Sequence, residues 1–422
     1  MRGLLYLGAS GTRRTTTRVA TPISLEHAPA VLGGPPRFRE PRFITRPRLP
    51  DRARFTALLD RIFSASWLTN DGAIVRELEE RLTPRLGGAF CAACCNGTVA
   101  LQVALRSLDL AGEVITTPFT FPATVHAIEW NGLTPVFCDI DPKTYNLDPA
   151  CAAALIGSRT SALLPVHVFG NPCDVEGLAT LATAHGLHLV YDAAHAFGVW
   201  HRGHPIGDWG ELSIFSFHAT KLFHTAEGGA VVGPDARSAE TLRLLRNFGI
   251  VNEDEVRGVG LNGKLSELHA ALGLPLLDLI DGEIAARAQL AARYDAAFAG
   301  VVGLGGQQIA PETRRNYAYY TVEVDPDRFD LTRDELHAAL RAEGIVSRKY
   351  FFPLCSANVA YRHLPTAQPG RLPNAERVAS RVLCLPLYGE LAADDVDAIA
   401  DAVLTIQAAA PRVRAALHGR PA

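Results

Sequence analysis

Long apolar runs are missing from this chain of 422 residues. Its hydrophobic stretches are short and broken by Gly, Pro or charge, which excludes a membrane-spanning helix by sequence. An excess of positive charge is missing too. The formal net charge is −3, so no global basic field draws the chain to nucleic acid or anionic lipid, and no nucleic-acid-reading motif is present. Paired cysteines are the third absence: eight are spread along the chain in no pairing pattern, as expected of a reduced, cytoplasmic protein. Cys91, Cys94 and Cys95 form the only cluster. No second Cys/His pair sits at ligand spacing, so no metal is expected and the thiols read as small buried side chains. Internal repeats are absent as well.

What is present describes an ordinary globular protein, with 48% hydrophobic and 20% charged residues and enough length for one large core and a smaller second one. The stretch Met1-Arg2-Gly3-Leu4-Leu5-Tyr6-Leu7-Gly8 is too short an apolar patch for a secretory signal. Gly8-Ala9-Ser10-Gly11-Thr12 is half of a phosphate loop without its lysine, and residues 1–30 read as a loose extension. Prolines 35, 36, 41, 47 and 50 mark an extended lead-in. Helical periodicity begins near Arg54 and runs to Leu82, with a turn at Asn70-Asp71-Gly72. Short apolar strands then alternate with helices: 89–94, 113–117, 134–139, 160–166, 187–192, 212–216 and 229–233. Such alternation predicts an α/β fold with a mainly parallel central sheet, helices on both faces and ligands at the strand C-terminal ends. A long helix, 266–294, interrupted at Pro275, bridges to a smaller C-terminal α/β domain. There the pattern gives a strand at 318–324, a helix at 333–343, the 348–352 segment and a last helix from Ala392. The expected division is 1–50 lead-in, 51–265 large domain, 266–300 bridging helix and 301–422 small domain.

The chemistry is carried by strand ends. Leu187–Asp192 is an apolar strand that delivers an aspartate. Ser213–Ser216 ends in small and hydroxyl residues ahead of Lys221, and Glu227-Gly228-Gly229 leads into the next strand. An aspartate and a lysine on successive strand ends are what pyridoxal 5′-phosphate requires. The lysine amine bonds to its aldehyde, and the carboxylate pairs with the protonated pyridine nitrogen. Asn96-Gly97-Thr98 closes a strand and opens a helix, where backbone amides and a threonine hydroxyl can cradle phosphate; a simple N-cap is the bland reading. Phe121 is the flat apolar group for one ring face, or else a core phenylalanine. His195 can orient the phenolic oxygen or the aspartate, or be a structural histidine at the sheet edge. Ser216 can give its hydroxyl to the phosphate.

The segments Asn96-Gly97-Thr98, Pro118-Phe119-Thr120-Phe121, Phe137–Asp141, Asp192-Ala193-Ala194-His195, Ser216–Lys221 and Glu227-Gly228-Gly229 resemble the DegT/DnrJ family of nucleotide-sugar aminotransferases, from about Trp67 to Gly389. The resemblance implies the fold-type I pyridoxal-phosphate-dependent transferase architecture, a homodimer with shared active sites, and glutamate as amino donor. It makes Lys221 the Schiff-base lysine, Asp192 the partner of the pyridine nitrogen, Phe121 the stacking aromatic, and Thr98 and Ser216 phosphate ligands. Asn262, after Gly258-Val259-Gly260-Leu261, is the residue that reaches a neighbouring subunit's phosphate. Relatives often carry glutamine where this chain has His195, which leaves that role open. Tyr317, Arg348, Lys349 and Tyr350 lie in segments similar to those of members that aminate carbon 4 of a dTDP-4-keto-6-deoxyhexose, which makes them substrate-binding candidates. A solvated basic pair and core aromatics are the alternative reading of these positions. The rival functions are amination of carbon 3 of a keto sugar or of an aminocyclitol precursor, a lyase using Cys355 as a mobile nucleophile, and a non-catalytic regulator of the same fold.

Overall fold

The computed structural model describes residues 28–419, so the phosphate-loop-like segment 8–12 lies outside the described residues. The large domain is built on a seven-stranded sheet. Its elements, in chain order, are α1 (Arg52–Ala65), α2 (Ala73–Leu86), β2 (Phe90–Cys94), α3 (Gly97–Ser107), β3 (Glu113–Thr116), α4 (Pro122–Trp130), β4 (Thr134–Phe137), β5 (Thr160–Leu164), α5 (Val175–His185), β6 (His188–Asp192), β7 (Leu212–Ser216) and β8 (Gly229–Gly233); β1 belongs to the lead-in described below. The sheet order is β2-β8-β7-β6-β5-β3-β4. Every strand is parallel to the rest except β8, which runs antiparallel to β2 and β7. β2 and β8 are buried along their whole length, as strands covered on both faces must be. The strands end one or two residues earlier than the apolar runs suggest at 117, 139 and 166, because the chain leaves the ladder where it begins to form the ligand-binding loops.

Helix starts follow local chemistry. Asn96 caps α3 by accepting from Val99 N at 2.8 Å, and Pro122 occupies the first turn of α4 after the extended Phe121. α2 lacks a side-chain cap of its own. Instead the buried Glu267 carboxylate accepts from Ile74 N and Val75 N, both at 2.9 Å, and sets a negative charge on the positive end of the helix dipole. The bridge is not one helix. α6 (Glu267–Leu276) contains Pro275, a 3-10 stretch follows at Leu277–Leu279, and α7 (Ile280–Phe298) completes the span; proline removes an amide donor and tightens the turn there.

In the small domain, β9 (Leu304–Gly305), β10 (Tyr320–Val324) and β12 (Val382–Leu385) form an antiparallel sheet, with α8 (Arg333–Ala342), α9 (Pro373–Arg381) and α10 (Ala393–Ala408) around it. The expected strand at 318–324 begins only at Tyr320, because Ala318 N is bound to the Asn316 side chain at 3.0 Å. Residues 28–50 are more than a lead-in. β1 (Arg42–Phe43) pairs in parallel with β11 (Ile345–Val346), and Phe38 joins the core built by Val322, Leu336, Leu383 and Val403. The Glu343 carboxylate accepts from Ala30 N at 2.7 Å and Arg37 N at 3.0 Å. The two domains are joined by Asp139, just past β4, whose carboxylate accepts from Asn374 N and Ala375 N at 3.0 and 2.8 Å and so caps α9.

Candidate active site

A cavity of about 480 Å³ opens at the C-terminal ends of the parallel strands. Gly97, Thr98, Phe121, Asp192, His195, Ser216, Lys221, Arg348 and Tyr350 all line it. Lys221 arrives on a tight connection between β7 and β8. Phe217 N donates to Gly228 O and Ala219 N to Ala226 O, both at 2.8 Å, and Lys221 N closes a turn on His218 O at 2.8 Å. Burial lowers the Lys221 amine to about 8, and the attraction of Asp192 acts in the opposite direction. Asp192 is 4% exposed. Its Oδ2 accepts from the Thr124 hydroxyl at 2.7 Å and its Oδ1 from Ala194 N at 3.0 Å. Burial raises its pKa, while the bonds from Ala194 and Thr124 and the Lys221 charge pull it down.

Beside this pair lies a cradle. Asn96 engages the third amide of α3, which leaves the amides of Gly97 and Thr98 at a positive helix end, next to the Ser216 side chain. A Cβ on Gly97 would come within 2.9 Å of Ser216 Cβ, and one on Gly229 within 2.7 Å of Gly97 N. Only glycine at both positions lets the helix start and the strand ends approach this closely. Phe121, 56% exposed, presents its ring to the cavity. Among the described residues His195 Nδ1 is buried without a hydrogen-bond partner, and burial together with Lys221 drives the imidazole well below its ordinary pKa, so the ring is neutral. A buried carboxylate, a depressed lysine, unengaged helix amides, an uncovered aromatic face and an orphaned imidazole nitrogen fit pyridoxal phosphate.

The far wall comes from the small domain. Phe351 stacks on His195 at 5.7 Å and 2°, and Tyr319 meets His195 edge-on at 5.0 Å. The side-chain partner of Arg348 among the described residues is the Tyr350 hydroxyl, to which Nη2 donates at 3.3 Å. Three sequence candidates stand outside the cavity. Tyr317 packs on the small-domain core under the Arg315 guanidinium, and its left-handed φ of 52° turns the next residues so that Tyr319 takes the cavity position. Lys349 faces away, 3.2 Å from Asp334 and over the Phe352 ring. Asn262 is exposed and accepts from Lys264 Nζ at 2.7 Å. Sequence reasoning missed Thr124, Tyr319 and Phe351; the spacing of Thr120 and Thr124 across a helix start was the available signal for the first.

Cys91 and Cys94 are buried in β2, and burial pushes Cys94 up to about 12. Cys355 is buried, its Sγ donating to Thr120 O at 3.3 Å, with its pKa raised to about 12. An immobile, protonated thiol does not serve the nucleophilic role a lyase would ask of it. Among the described residues no helix is long and apolar enough to cross a membrane.

Known proteins are similar to this chain over most of its length. The chain is 42% identical over 351 residues to a dTDP-4-amino-4,6-dideoxy-D-glucose transaminase of Escherichia coli, covering 82% of this chain and 94% of that protein. It is 37% identical to a dTDP-3-amino-3,4,6-trideoxy-alpha-D-glucose transaminase of Streptomyces venezuelae, covering 79% and 90%. The crystal structure of DesI in the presence of its TDP-sugar product superposes with a TM-score of 0.88 at 41% identity, covering 94% of this chain and 100% of that one. With residues 51–404 matching the family as a whole, the chain belongs to the DegT/DnrJ/EryC1/StrS aminotransferase family and is a pyridoxal-phosphate-dependent transaminase.

Proposed function

We propose that this transaminase moves an amino group from glutamate to carbon 4 of dTDP-4-keto-6-deoxyglucose in deoxyaminosugar biosynthesis, acting as a cytoplasmic homodimer. The observation that carries the reading is the 42% identity over 94% of the E. coli transaminase, whose product bears its nitrogen on carbon 4. The Streptomyces relative at 37% identity favours carbon 3 as the second reading. Eight free thiols suit a reducing compartment. Exposed apolar side chains at Trp67, Leu68, Phe248, Val256 and Val259 support contact with a second copy.

Bound pyridoxal phosphate supplies the electron sink for the carbanion formed when the donor loses its α-proton. Lys221 would hold the resting cofactor through its Nζ; once the donor amine has displaced it, the free amine, lowered to about 8, would take that proton and return it near neutral pH. The Asp192 carboxylate holds positive charge on the pyridine nitrogen. The amides of Gly97 and Thr98 and the hydroxyls of Thr98 and Ser216 hold the phosphate. Phe121 covers one ring face, and the neutral His195 orients the phenolic oxygen or Asp192. Arg348 and Tyr350 meet the diphosphate and the sugar or base. Asn262, outside the cavity of its own chain, reaches the phosphate in a second copy.

The test is product analysis by NMR after incubation of the purified enzyme with glutamate and either dTDP-4-keto-6-deoxyglucose or its 3-keto isomer. A 4-amino product formed from the first substrate alone is expected. Amination of the 3-keto isomer in preference overturns the choice of carbon.

A further inference from the structure

Asp192 has a support that the family resemblance did not point to. Thr124, on the first turn of α4, donates to Oδ2 at 2.7 Å, and its Oγ1 lies 2.8 Å from Oγ1 of Thr120. Both hydroxyls are buried. A hydroxyl has one proton. Because Thr124 spends its proton on the carboxylate, Thr120 must donate to Thr124, and the bonds run in one direction: Thr120 to Thr124 to Asp192. Chains of this kind polarise one another in a low-dielectric interior. Thr120 is in turn fixed by the small domain, since its carbonyl accepts from Cys355 Sγ and Pro118 O accepts from Cys355 N at 3.0 Å.

We infer that Thr124 is a positioning residue for the transamination, acting through Asp192: it fixes which carboxylate oxygen faces the pyridine nitrogen and restrains that oxygen's basicity, with Thr120 reinforcing it. The inference rests on the pyridoxal-phosphate reading of the cavity. The other groups near Asp192 are Lys221 from the β7–β8 connection, the Ala194 amide, the neutral His195 beyond β6 and the buried thiol of Cys173. Removing the Thr124 donor leaves more negative charge on the carboxylate, which favours protonation of the groups bonded near it.

The experiment compares Thr124→Val, Thr124→Ser, Thr120→Val and the double variant Thr120→Val/Thr124→Val, which leaves no buried hydroxyl without an acceptor. Holoenzymes are titrated with pH while the visible absorbance of the bound cofactor is followed, alongside kcat, KM and melting temperature. Thr124→Val and the double variant are expected to shift the absorbance midpoint upward and to lower kcat by roughly ten- to a hundredfold at little change in KM. Thr120→Val should shift it less in the same direction, and Thr124→Ser should restore wild-type values. A lower melting temperature with an unmoved midpoint and kcat overturns the inference, because Thr124 then serves packing alone. A new absorbance band on reconstitution of the wild-type protein with pyridoxal phosphate upholds the parent reading independently; its absence overturns both.

Discussion

The floor and the far wall of the cavity are built on opposite principles. On the floor, Asp192 and Ser216 stand on strand ends, Gly97 on a helix start and Lys221 on the tight β7–β8 connection, and Asp192 has a donor on each oxygen. On the wall, Arg348 extends from a small-domain segment, exposed, with the Tyr350 hydroxyl as its guanidinium's hydrogen-bond partner among the described residues. Rigid backbone fixes chemistry; exposed long side chains choose the partner. The floor should therefore control kcat and the wall should control KM.

The comparison breaks first at Lys221. Lys221→Ala is expected to abolish turnover, by more than about 10⁴-fold, and to remove covalent retention of cofactor, seen by borohydride trapping and mass spectrometry. Asp192→Asn should cost roughly 10²–10³ in kcat with an intact circular dichroism spectrum. It also tests the electrostatics in the cofactor-free protein. Acylation of Nζ requires the neutral amine, so labelling of wild-type Lys221 should rise through about pH 8 rather than the ordinary lysine range. The Asp192 charge raises that midpoint, so Asp192→Asn should lower it.

On the wall, Arg348→Ala should raise KM for the nucleotide sugar by roughly ten- to a hundredfold and leave kcat and the cofactor spectrum nearly unchanged. A kcat loss as large as that of Asp192→Asn would erase the distinction between floor and wall. Asn262→Ala should weaken cofactor retention about tenfold, measured by dialysis. Mixed with Lys221→Ala under subunit exchange, it should regain activity at limiting cofactor, since one site of the heterodimer carries both lesions and the other neither. The smallest effect is expected from Lys349→Ala: its ammonium faces Asp334, so KM should hold within about twofold and stability within about 1 kcal/mol.

The same contrast explains what could be read in advance. All seven strands of the large sheet were legible because mostly buried strands are short apolar runs, and their ends carry Asp192 and the approach to Lys221. The reversed direction of β8 was not legible, since a short apolar run looks alike in either sense. Tyr317 and Tyr319 share composition and neighbourhood; a single left-handed residue decides which faces the cavity. Arg348 and Lys349 alternate along an extended segment and so point apart. The pairing of residues 42–43 with 345–346 joins stretches about 300 residues apart, beyond the reach of any local pattern.

The order of strands also imposes a schedule on the ribosome. β2 is the first strand of the sheet to be made, and the strand it pairs with in that sheet, β8, is the last. At about 5–20 residues per second, β2 waits on the order of ten seconds with an unpaired edge. The phosphate cradle needs Gly229 packed on the Asn96–Gly97 peptide, so it is absent throughout that wait. Cofactor in the cell can therefore stabilise the finished large domain by mass action, but it cannot act as a folding template for the nascent chain before residue 233 has emerged.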